Sequence, residues 1–430
     1  MSIDTTKKVN GISVNGTNLQ FDSGIDENIL PSNIKEGVSI LGVNGSFKGG
    51  ALQTKQITIT RNKTTIIEPD NGYFGLEKVE IITNVSGGGA SSQIYGVSWT
   101  NDGTTTMTRT DDAAEMTYAI SGGKVASDFD NVFPYNQMKR TTIDGNVFVY
   151  IPAMYFRITK DENNKITGVA VSETQGDGDD WYQSRAFYYG AYGASSDGTV
   201  LKSVSGVNRQ YSVTRATART RAMAVGTGYH QRDLYAGTIL MFLWWIEFAT
   251  KNSASVMTGT QYGKTTGNTD SIYNETEGEN FCVSGYNTAT SQMVWHGIED
   301  YIGNGYEWED GITGNGSSGG VQYVSDDYTK YNDTGTDMNT LLFNSPTTSG
   351  NCLEAIGWDE NNPFLIQPIA TRNDNNYASG FCDYGSTSNN IVSYRGSHFP
   401  SHARNGVSSF YRGYASYSDS GIGCRLLLNA

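Results

Sequence analysis

The sequence feature that most constrains the fold is one long apolar segment, DLYAGTILMFLWWIEFATKN, which runs from Asp233 to Asn252. Asp233 is a good N-cap, so a helix is predicted to begin there and to end near Asn252. The most apolar part, residues 239–246, is too short to span a bilayer. We therefore expect a core helix that buries one broad face, formed by Leu234, Ile239, Phe242, Trp245 and Phe248.

The chain as a whole has the composition of a loop-rich globular protein rather than of a helical bundle. Only 37% of its 430 residues are hydrophobic, whereas 51 are Gly and 27 are Tyr, a mixture that favours turns and aromatic anchors. The length allows one large domain and something smaller. The cysteines lie far apart with no CxxC pair, so we expect buried free thiols at Cys282, Cys352, Cys382 and Cys424.

The formal charge of -14 argues against nucleic acid as a partner, because phosphate neutralisation needs a face rich in Lys and Arg. The first residues, MSIDTTKKVNG, have no apolar stretch after the lysines, so the sequence predicts no secretory signal peptide. We expect a soluble protein that is made in the cytoplasm of its host and does not insert into a membrane.

Residues 1–86 have the pattern of two small β modules, one over residues 1–50 and one over residues 51–86. The phrase VNGISVNGT places Asn-Gly turns between apolar residues, which is a strong local signal for a hairpin. The phrase KQITITRNKTTIIEPDNGYFGLEKVEII predicts two or three further strands. A flexible Gly/Ser linker follows at residues 87–93. Modules this small bury little apolar area alone, so we expect them to associate with copies of themselves or with a neighbour.

Residues 94–430 are predicted to form one large domain. Within it, NVFVYIPAMYFRIT is a strongly apolar strand candidate that Pro152 interrupts. Because proline cannot donate to a strand ladder, an edge or bulge position is expected there.

Acidic residues are densest in GDGDDW, residues 176–181, and in EWED, residues 307–310. A glycosidase needs two carboxylates about 5 to 10 Å apart, but neither segment has a distinguishing spacing. Both are expected to be solvated loops, with Glu307, Glu309 and Asp310 in solvent around Trp308, a core anchor among turns. No nucleophile elbow, phosphate loop or dinucleotide fingerprint occurs, so we assign no catalytic residue and expect no enzyme activity.

Several phrases together resemble known proteins. NIKEGVSILGVNGSF and IIEPDNGYFGLEKVEI resemble stalk repeats of phage tail-fibre proteins. FPYNQMKRTTIDGNVFVYIPAMYF, GYHQRDLYAGTILMFLWWIEFATKNS, IGNGYEWEDG and RGS…NGVSSF…GIGCRLLL look like the C-terminal domains of phage variable proteins diversified by retroelements. The second resemblance covers essentially all of residues 94–430. It implies an α+β chain: small N-terminal β modules, then a large loop-rich C-type-lectin-fold domain of the formylglycine-generating-enzyme type, with two helices.

The composition of the C-terminal part is consistent with this resemblance. No Lys, Glu, Gln, Met or Trp occurs after Gln367. In the family, a reverse transcriptase misreads template adenines, so AAC or AAT codons become NNC or NNT codons, which cannot encode those five residues. The resemblance therefore implies a variable region over about residues 391–425. A compositional bias is the alternative, and the codon rule explains only part of the absence, because the segment's fixed positions lack these residues too.

The resemblance divides the variable region into a framework and a binding face. Tyrosine with small polar residues suits such a face, since Tyr supplies rigid amphipathic area while the small residues adapt their hydrogen bonds. The positions that match the family's framework are Arg395, Gly396, Gly406, Val407, Phe410, Ala415, Ile422, Gly423 and Arg425. The expected exposed ligand contacts are His398, Phe399, Ser401, His402, Arg404, Ser408, Ser409, Tyr411, Arg412, Tyr414, Tyr417 and Asp419. The family often has an aromatic residue before the final Arg, where this chain has Cys424.

We expect this face to be locally basic and to prefer an anionic or hydroxyl-rich target. The charged residues counted for this face are one aspartate, Asp419, and four arginines: Arg395, Arg404, Arg412 and Arg425.

Histidines give little sign of a metal site. His398 and His402 are four residues apart, which suits zinc only on a helix, and their segment is rich in Ser and Gly. Two separate contacts are therefore expected. His230 and His296 each lie beside aromatic residues, and structural roles are expected for both. No cofactor is expected, apart from a structural Ca2+ of the kind that lectin-type folds sometimes use, whose ligands the sequence does not locate.

The resemblance implies a phage tail-fibre receptor-binding protein, an adhesin of the virion tail fibre whose hypervariable face binds a protein or glycan on a host bacterium. Other tail proteins are expected to bind the N-terminal modules, and a homotrimer is expected. One alternative is a bacterial or prophage-encoded surface-displayed adhesin of the same fold. The second alternative is a glycan-processing enzyme of the tail.

Overall fold

The computed structural model describes residues 93–102, 104, 106–257, 284–286, 293–315, 320–346, 352–372, 382–383, 391–397 and 406–430, with short strands and two single positions before residue 93. The chain divides into two compact units, Met1–Ala90 and Ser91–Ala430. This division lies inside the predicted linker, residues 87–93. The described residues form mostly β-sheet with two α-helices, so the fold is β-rich. The finer label, α+β with a lectin-type domain, stays a prediction.

The described part of the N-terminal unit consists of three strand pairs and two single positions, Ile34 and Glu36. Its strands are β1 (Gly11–Val14), β2 (Thr17–Gln20), β3 (Ser39–Ile40), β4 (Val43–Asn44), β5 (Leu52–Ile57) and β6 (Gly75–Ile81). The β1 and β2 strands are antiparallel, and their last pair joins Val14 to Thr17 across Asn15-Gly16. The hairpin predicted from the Asn-Gly signal is thereby confirmed. The β3–β4 pair is antiparallel and the β5–β6 pair is parallel.

The C-terminal unit begins with twelve described strands and continues with the two helices. The strands before the first helix are β7 (Ile94–Ser98), β8 (Thr108–Asp111), β9 (Tyr118–Ser121), β10 (Lys124–Ser127), β11 (Arg140–Ile143), β12 (Asn146–Ile151), β13 (Tyr155–Lys160), β14 (Ile166–Ser172), β15 (Trp181–Gln183), β16 (Phe187–Gly190), β17 (Ser195–Ser196) and β18 (Leu201–Lys202). Then come α1 (Arg215–Met223), β19 (Tyr229–Gln231) and α2 (Leu234–Phe248).

The remaining described strands follow α2. They are β20 (Ser284–Tyr286), β21 (Met293–Trp295), β22 (Ile298–Glu299), β23 (Gly305–Asn315), β24 (Val321–Val324), β25 (Asn339–Thr340), β26 (Cys352–Gly357), β27 (Gln367–Arg372), β28 (Cys382–Asp383), β29 (Ile391–Ser397), β30 (Gly406–Tyr414), β31 (Ile422–Gly423) and β32 (Leu426–Asn429).

Four sheets build most of this unit. Three have five strands, in the orders β11-β12-β16-β32-β19, β15-β13-β14-β7-β8 and β22-β21-β20-β10-β9. The fourth has seven strands, in the order β25-β24-β23-β29-β30-β28, with β31 beside β23. Because neighbours such as β16 and β32 come from distant parts of the sequence, long-range pairing dominates the topology.

The apolar strand candidate around Pro152 is two strands in two different sheets. β12 ends at Ile151 and lies between β11 and β16, whereas β13 starts at Tyr155 and lies between β14 and β15. The predicted edge or bulge position at Pro152 is therefore wrong. The proline lies in the connection between the two sheets, where its main-chain nitrogen does not need to donate a hydrogen bond to a neighbouring strand.

Helix α2 starts where the sequence predicts. The Asp233 side chain caps it by accepting a hydrogen bond from the main-chain nitrogen of Ala236 at 2.8 Å. The helix ends at Phe248, before the predicted Asn252, because Ala249 adopts a left-handed conformation with φ 50°. A residue in that conformation stops the helical ladder.

The prediction that α2 buries one broad face is wrong, because all fifteen of its residues are buried. A helix that is apolar all round belongs in the centre of a core, and α2 packs against β7, β14, β23 and β30. At Gly237 the approach is close: a Cβ atom there would lie 2.6 Å from Glu309 Oε1 on β23. Neither helix that the structure describes is long and apolar enough to cross a bilayer.

Candidate functional site

The described part of the predicted variable region lies mainly on β29 and β30, next to β23 in the seven-stranded sheet. Tyr394 on β29 pairs with Trp308 of β23 on one side and with Tyr411 of β30 on the other. Side chains alternate between the two faces of a strand. Residues of β23, which is distant in the sequence, therefore meet residues of β29 and β30 on each face.

One face carries a cluster of three tyrosines, Tyr306, Tyr394 and Tyr411, called here the tyrosine cluster. The Tyr394 and Tyr411 rings stack at 5.4 Å between centroids and 9° between planes. Tyr306 meets Tyr411 at 4.7 Å and Tyr394 at 5.1 Å, both edge to face. Tyr306 and Tyr394 are half-buried and Tyr411 is buried. The cluster is a packed aromatic platform with part of its area in solvent.

Tyr306 and Tyr394 were missed as candidate residues in the sequence. A signal for Tyr306 was present: in a strand, YEWED puts Tyr306 and Trp308 on one face and Glu307 and Glu309 on the other. The pairing of Tyr394 with Tyr411 depends on strand register, which the local sequence does not reveal.

Beyond the cluster, two exposed rings lie at the last residue of β30 and three residues after it. Tyr414 is 56% exposed and Tyr417 is 39% exposed. The Tyr417 hydroxyl donates to Asp419 Oδ2 at 3.3 Å, and the other Asp419 oxygen accepts from the Gly421 nitrogen at 2.7 Å. Burial and the neighbouring Asp419 raise the pKa of Tyr417, so its hydroxyl stays neutral at physiological pH. Such rings offer apolar area together with a hydrogen-bonding group.

The predicted ligand contacts divide into three groups. Tyr414, Tyr417 and the half-buried Asp419 are accessible, as expected. The expected exposure is wrong for Ser408, Ser409, Tyr411 and Arg412, which are all buried. The others lie outside the described residues: His398, Phe399, Ser401, His402 and Arg404.

The buried contacts have identifiable structural partners. Ser408 Oγ accepts a hydrogen bond from Trp245 Nε1 at 2.9 Å and donates to the Lys251 carbonyl oxygen at 3.2 Å, which holds β30 against α2. Tyr411 belongs to the tyrosine cluster, and Arg412 donates to the Gln322 side-chain oxygen on β24. The local composition resembles that of a loop, but these residues lie in an interior strand of the sheet and are buried there.

Replacing Ser408 by Ala should therefore lower stability rather than act directly on ligand binding. The change leaves the buried Trp245 Nε1–H without an acceptor, which costs about 1–3 kcal/mol. Urea denaturation of Ser408→Ala and of the exposed-site control Ser418→Ala measures it. A Ser408→Ala protein as stable as the control would contradict the structural role.

The predicted framework positions are buried at Arg395, Gly406, Val407, Phe410, Ile422, Gly423 and Arg425. Ala415 is half-buried, and Gly396 lies within β29. The Arg395 guanidinium lies 3.9 Å from the centre of the Phe410 ring, which ties β29 to β30. The framework is thus a packed strand pair and not only a loop scaffold.

A buried cluster of opposite charges lies beneath this strand pair. Glu307 on β23 is held by three arginines: Arg209 Nη2 at 2.7 Å, Arg232 Nη1 at 3.0 Å and Arg425 Nη2 at 2.8 Å. Burial alone would raise the pKa of Glu307, but Arg425, Arg209 and Arg232 together lower it to about 2. All four side chains are almost fully buried, so the carboxylate is charged at neutral pH and each arginine has a partner.

The next two acidic residues of β23 have arginine partners as well. Glu309 Oε1 lies 2.8 Å from Arg395 Nε, and Ser393 Oγ donates to Glu309 Oε2 at 3.1 Å. Both carboxylate oxygens of Asp310 accept from Arg219, at 2.7 and 2.8 Å.

The prediction that EWED is a solvated loop among turns is therefore wrong. Glu307, Glu309 and Asp310 are buried in a strand, and only the burial of Trp308 is as expected. The physical reason is that buried charges are tolerated when they are paired. By contrast, the carboxylates of GDGDDW are exposed, as predicted, and its Trp181 is buried.

The predicted basic face is also wrong in its described members. Arg395 and Arg425 are fully buried and paired with Glu309 and Glu307, and Arg412 is buried beside Gln322. These three charges are used inside the protein and are not available to an anionic ligand. Arg404 lies outside the described residues.

The buried thiol and the two described histidines have structural surroundings. Cys424 is buried and free, as predicted, and burial raises its pKa to about 12, so it is not a reactive thiolate. The side chains of the other three cysteines lie outside the described residues. His230 stacks on Tyr328 at 5.2 Å, with its Nε2 atom 3.1 Å from Asp233 Oδ2. His296 is buried, and its Nε2 atom lies 3.0 Å from Glu247 Oε2.

Two surface cavities lie away from residues 391–425. One, of about 250 Å³, is lined by polar side chains that include Arg185, Asp326 and Asn361. The other, of about 310 Å³, is lined by residues that include Lys160, Trp358 and Glu360. Each has a single carboxylate in its lining, so neither supplies the carboxylate pair that glycosidases use.

No protein-family model matches the chain, and no curated protein matches it. The function is therefore inferred from the chain's own residues.

Proposed function

We propose that this chain is a phage tail-fibre receptor-binding protein whose C-terminal unit binds a ligand on the surface of a host bacterium. The tyrosine cluster and the two exposed rings beyond it carry the proposal. Rigid tyrosines on a fixed support are the residues that binding faces favour, because they offer large contact area at low entropic cost. The resemblance to variable proteins diversified by retroelements and the absence of five residue types after Gln367 support the same function.

In this proposal the seven-stranded sheet is the fixed support. Most of the described framework positions are buried, and Arg395 and Arg425 pair with Glu309 and Glu307 of β23. A change at an exposed position such as Tyr414 or Tyr417 should therefore leave this framework in place. A C-type-lectin fold of α+β type, with a variable region over about residues 391–425, is part of the proposal. The small N-terminal unit would bind other tail proteins and assist a homotrimer, and several copies on one virion would raise avidity.

The first alternative, a bacterial or prophage-encoded surface adhesin of the same fold, uses the same face. It differs in whether the chain sediments with virions. The second alternative, a glycan-processing enzyme, needs a carboxylate pair in a cleft. The densest acidic segment of the described chain, EWED, is buried and paired with arginines, which favours binding over hydrolysis.

Sequencing the DNA around the gene tests the proposed family most directly. We expect a near-copy of the 3′ end beside a reverse-transcriptase gene, with mismatches at template adenines. Their codons should fall at accessible positions such as Tyr414 and Tyr417. Buried positions such as Ser408 should vary least. A genome with no such copy would contradict the retroelement origin.

Replacing Tyr414 and Tyr417 together by Ala should weaken adsorption of the purified chain to intact host cells about 30-fold or more, since binding hot spots cost at least about 2 kcal/mol. Both side chains are exposed, so stability should change little. The matched control removes exposed apolar side chains elsewhere, with Leu342→Ala and Val207→Ala, which are 69% and 46% exposed. Equal adsorption by the two double variants would contradict the proposed face.

A further inference from the structure

Three metal-ligating side chains converge at a place that the binding face does not use. Asp130 lies in a 3-10 turn, Asp128–Asn131; Glu247 lies in the last turn of α2; and His296 follows β21 directly. One ligand atom from each lies within 4.8 Å of the other two. Elements from three separate parts of the chain therefore meet at this point.

The histidine lies between the two carboxylates. Its Nε2 atom is 3.0 Å from Glu247 Oε2, and its Nδ1 atom is 3.9 Å from Asp130 Oδ1. Trp295 Nε1 also donates to Glu247 Oε2, at 2.8 Å, which fixes the orientation of that carboxylate. The second separation is too long for a hydrogen bond.

Burial makes the carboxylate pair costly without a further cation. Glu247 is fully buried, and its Oε1 atom makes no hydrogen bond to any described residue. The same holds for the buried Oδ1 atom of Asp130. Arg109 contributes a positive charge nearby, but it donates to the main-chain oxygen of Glu247 and not to its carboxylate. A buried carboxylate oxygen is normally hydrogen-bonded or bound to a metal.

We propose that Asp130, Glu247 and His296 bind one divalent transition-metal ion, with zinc as the best fit. Imidazole nitrogen and carboxylate oxygen are both donors that Zn2+ accepts, and three protein ligands leave a fourth position open, as in catalytic zinc sites. Ca2+ prefers oxygen ligands throughout, so this site differs from a structural Ca2+ site of the lectin kind.

The observed spacing permits such binding with small side-chain movements. Zinc bonds to nitrogen and oxygen are about 2.0–2.2 Å long, so two ligand atoms on one zinc ion are roughly 3 Å apart, as His296 Nε2 and Glu247 Oε2 already are. Binding replaces the hydrogen bond between these two atoms, and the Nε2 proton moves to Nδ1, so that a neutral imidazole holds the metal through Nε2. Asp130 then supplies the third ligand after a short approach.

The ion would fasten the C-terminal end of α2 to the 3-10 turn and to the segment after β21. This end of the helix leads to Lys251, whose carbonyl oxygen accepts from Ser408 on β30. The metal site is thus a stabilising site that uses none of the residues of the ligand face, and it stands independently of the proposed receptor-binding function.

Zinc analysis of the full-length chain tests the proposal. After chelation, removal of any affinity tag and desalting, added Zn2+ should bind at one equivalent per chain and raise the melting temperature. Asp130→Asn should weaken zinc binding by about 100-fold or more, beyond the 10–100-fold that changes outside the ligand shell cost. Asp130 is partly exposed, so this variant should fold.

Two control variants make the result specific. His230→Gln alters the other buried histidine, which pairs with Asp233, and should leave zinc binding unchanged. His398→Ala combined with His402→Ala removes the other histidine pair and should also leave it unchanged. The proposal is overturned if the chain binds no zinc, if Asp130→Asn binds it as the parent does, or if the His398 and His402 variant alone loses it.

Discussion

Replacing Glu307 by Gln should destabilise the C-terminal unit by about 3–5 kcal/mol, the loss expected when one partner is removed from a buried ion pair. The change leaves Arg209, Arg232 and Arg425 buried around a neutral amide, which cannot replace the carboxylate for three guanidinium groups. This is among the largest effects that one substitution can have. Urea denaturation, followed by near-UV circular dichroism, measures the change in the free energy of unfolding.

Glu162→Gln is the matched control, because Glu162 is exposed and its loss should change stability by less than about 0.5 kcal/mol. Acid titration supplies a second readout. A carboxyl whose pKa falls from 4.5 to about 2 on folding contributes about 3 kcal/mol at neutral pH. That contribution is complete above pH 4.5 and is lost as the pH falls toward 2. Glu307→Gln should therefore lack it. If Glu307→Gln has the parent's free energy of unfolding at neutral pH and loses stability between pH 4.5 and 2 as the parent does, the cluster is not stabilising.

Replacing Trp245 by Ala should cost about 3–5 kcal/mol, the usual range for deleting a large buried aromatic side chain. Trp245 is fully buried in α2, its ring meets Trp99 at 5.1 Å, and its Nε1 atom donates to Ser408. The change creates a cavity beneath β30 and also removes the donor that anchors this strand.

Thermal and urea unfolding measure the effect of Trp245→Ala. The control is Met223→Ala at the end of α1, where the side chain is 41% exposed and the expected loss is below about 0.5 kcal/mol. If Trp245→Ala loses less than about 1 kcal/mol, the end of α2 is not the rigid core element described above.

Features that depend on neighbouring residues were predictable from the sequence. Asp233 caps α2, and Asn15-Gly16 separates the strands of a hairpin, because a cap and a short hairpin need only a few consecutive residues. The end of α2 and the burial of all its faces were not predictable. They depend on Ala249 adopting a left-handed conformation and on strands that are distant in the sequence covering the helix.

The candidate site was predictable only in part, for the same reason. Phe410 and Arg425 were assigned to the framework and are buried, whereas Ser408 and Arg412 were placed on the ligand face although they are buried too. Small and charged residues are usually exposed, so composition alone favours a loop. Only the partners, Trp245 for Ser408 and Gln322 for Arg412, show that this segment is an interior strand.

The cluster around Glu307 also governs the order in which the protein can form. Its three arginines are separated from it by 98, 75 and 118 residues. Closing loops of this length costs entropy before any contact compensates for it. A partly folded chain in which only one arginine has reached Glu307 leaves the remaining contacts of the buried cluster unmade. We therefore expect the three arginines and Glu307 to assemble cooperatively, late in folding. The C-terminal unit has the non-local topology that is typical of slow-folding proteins.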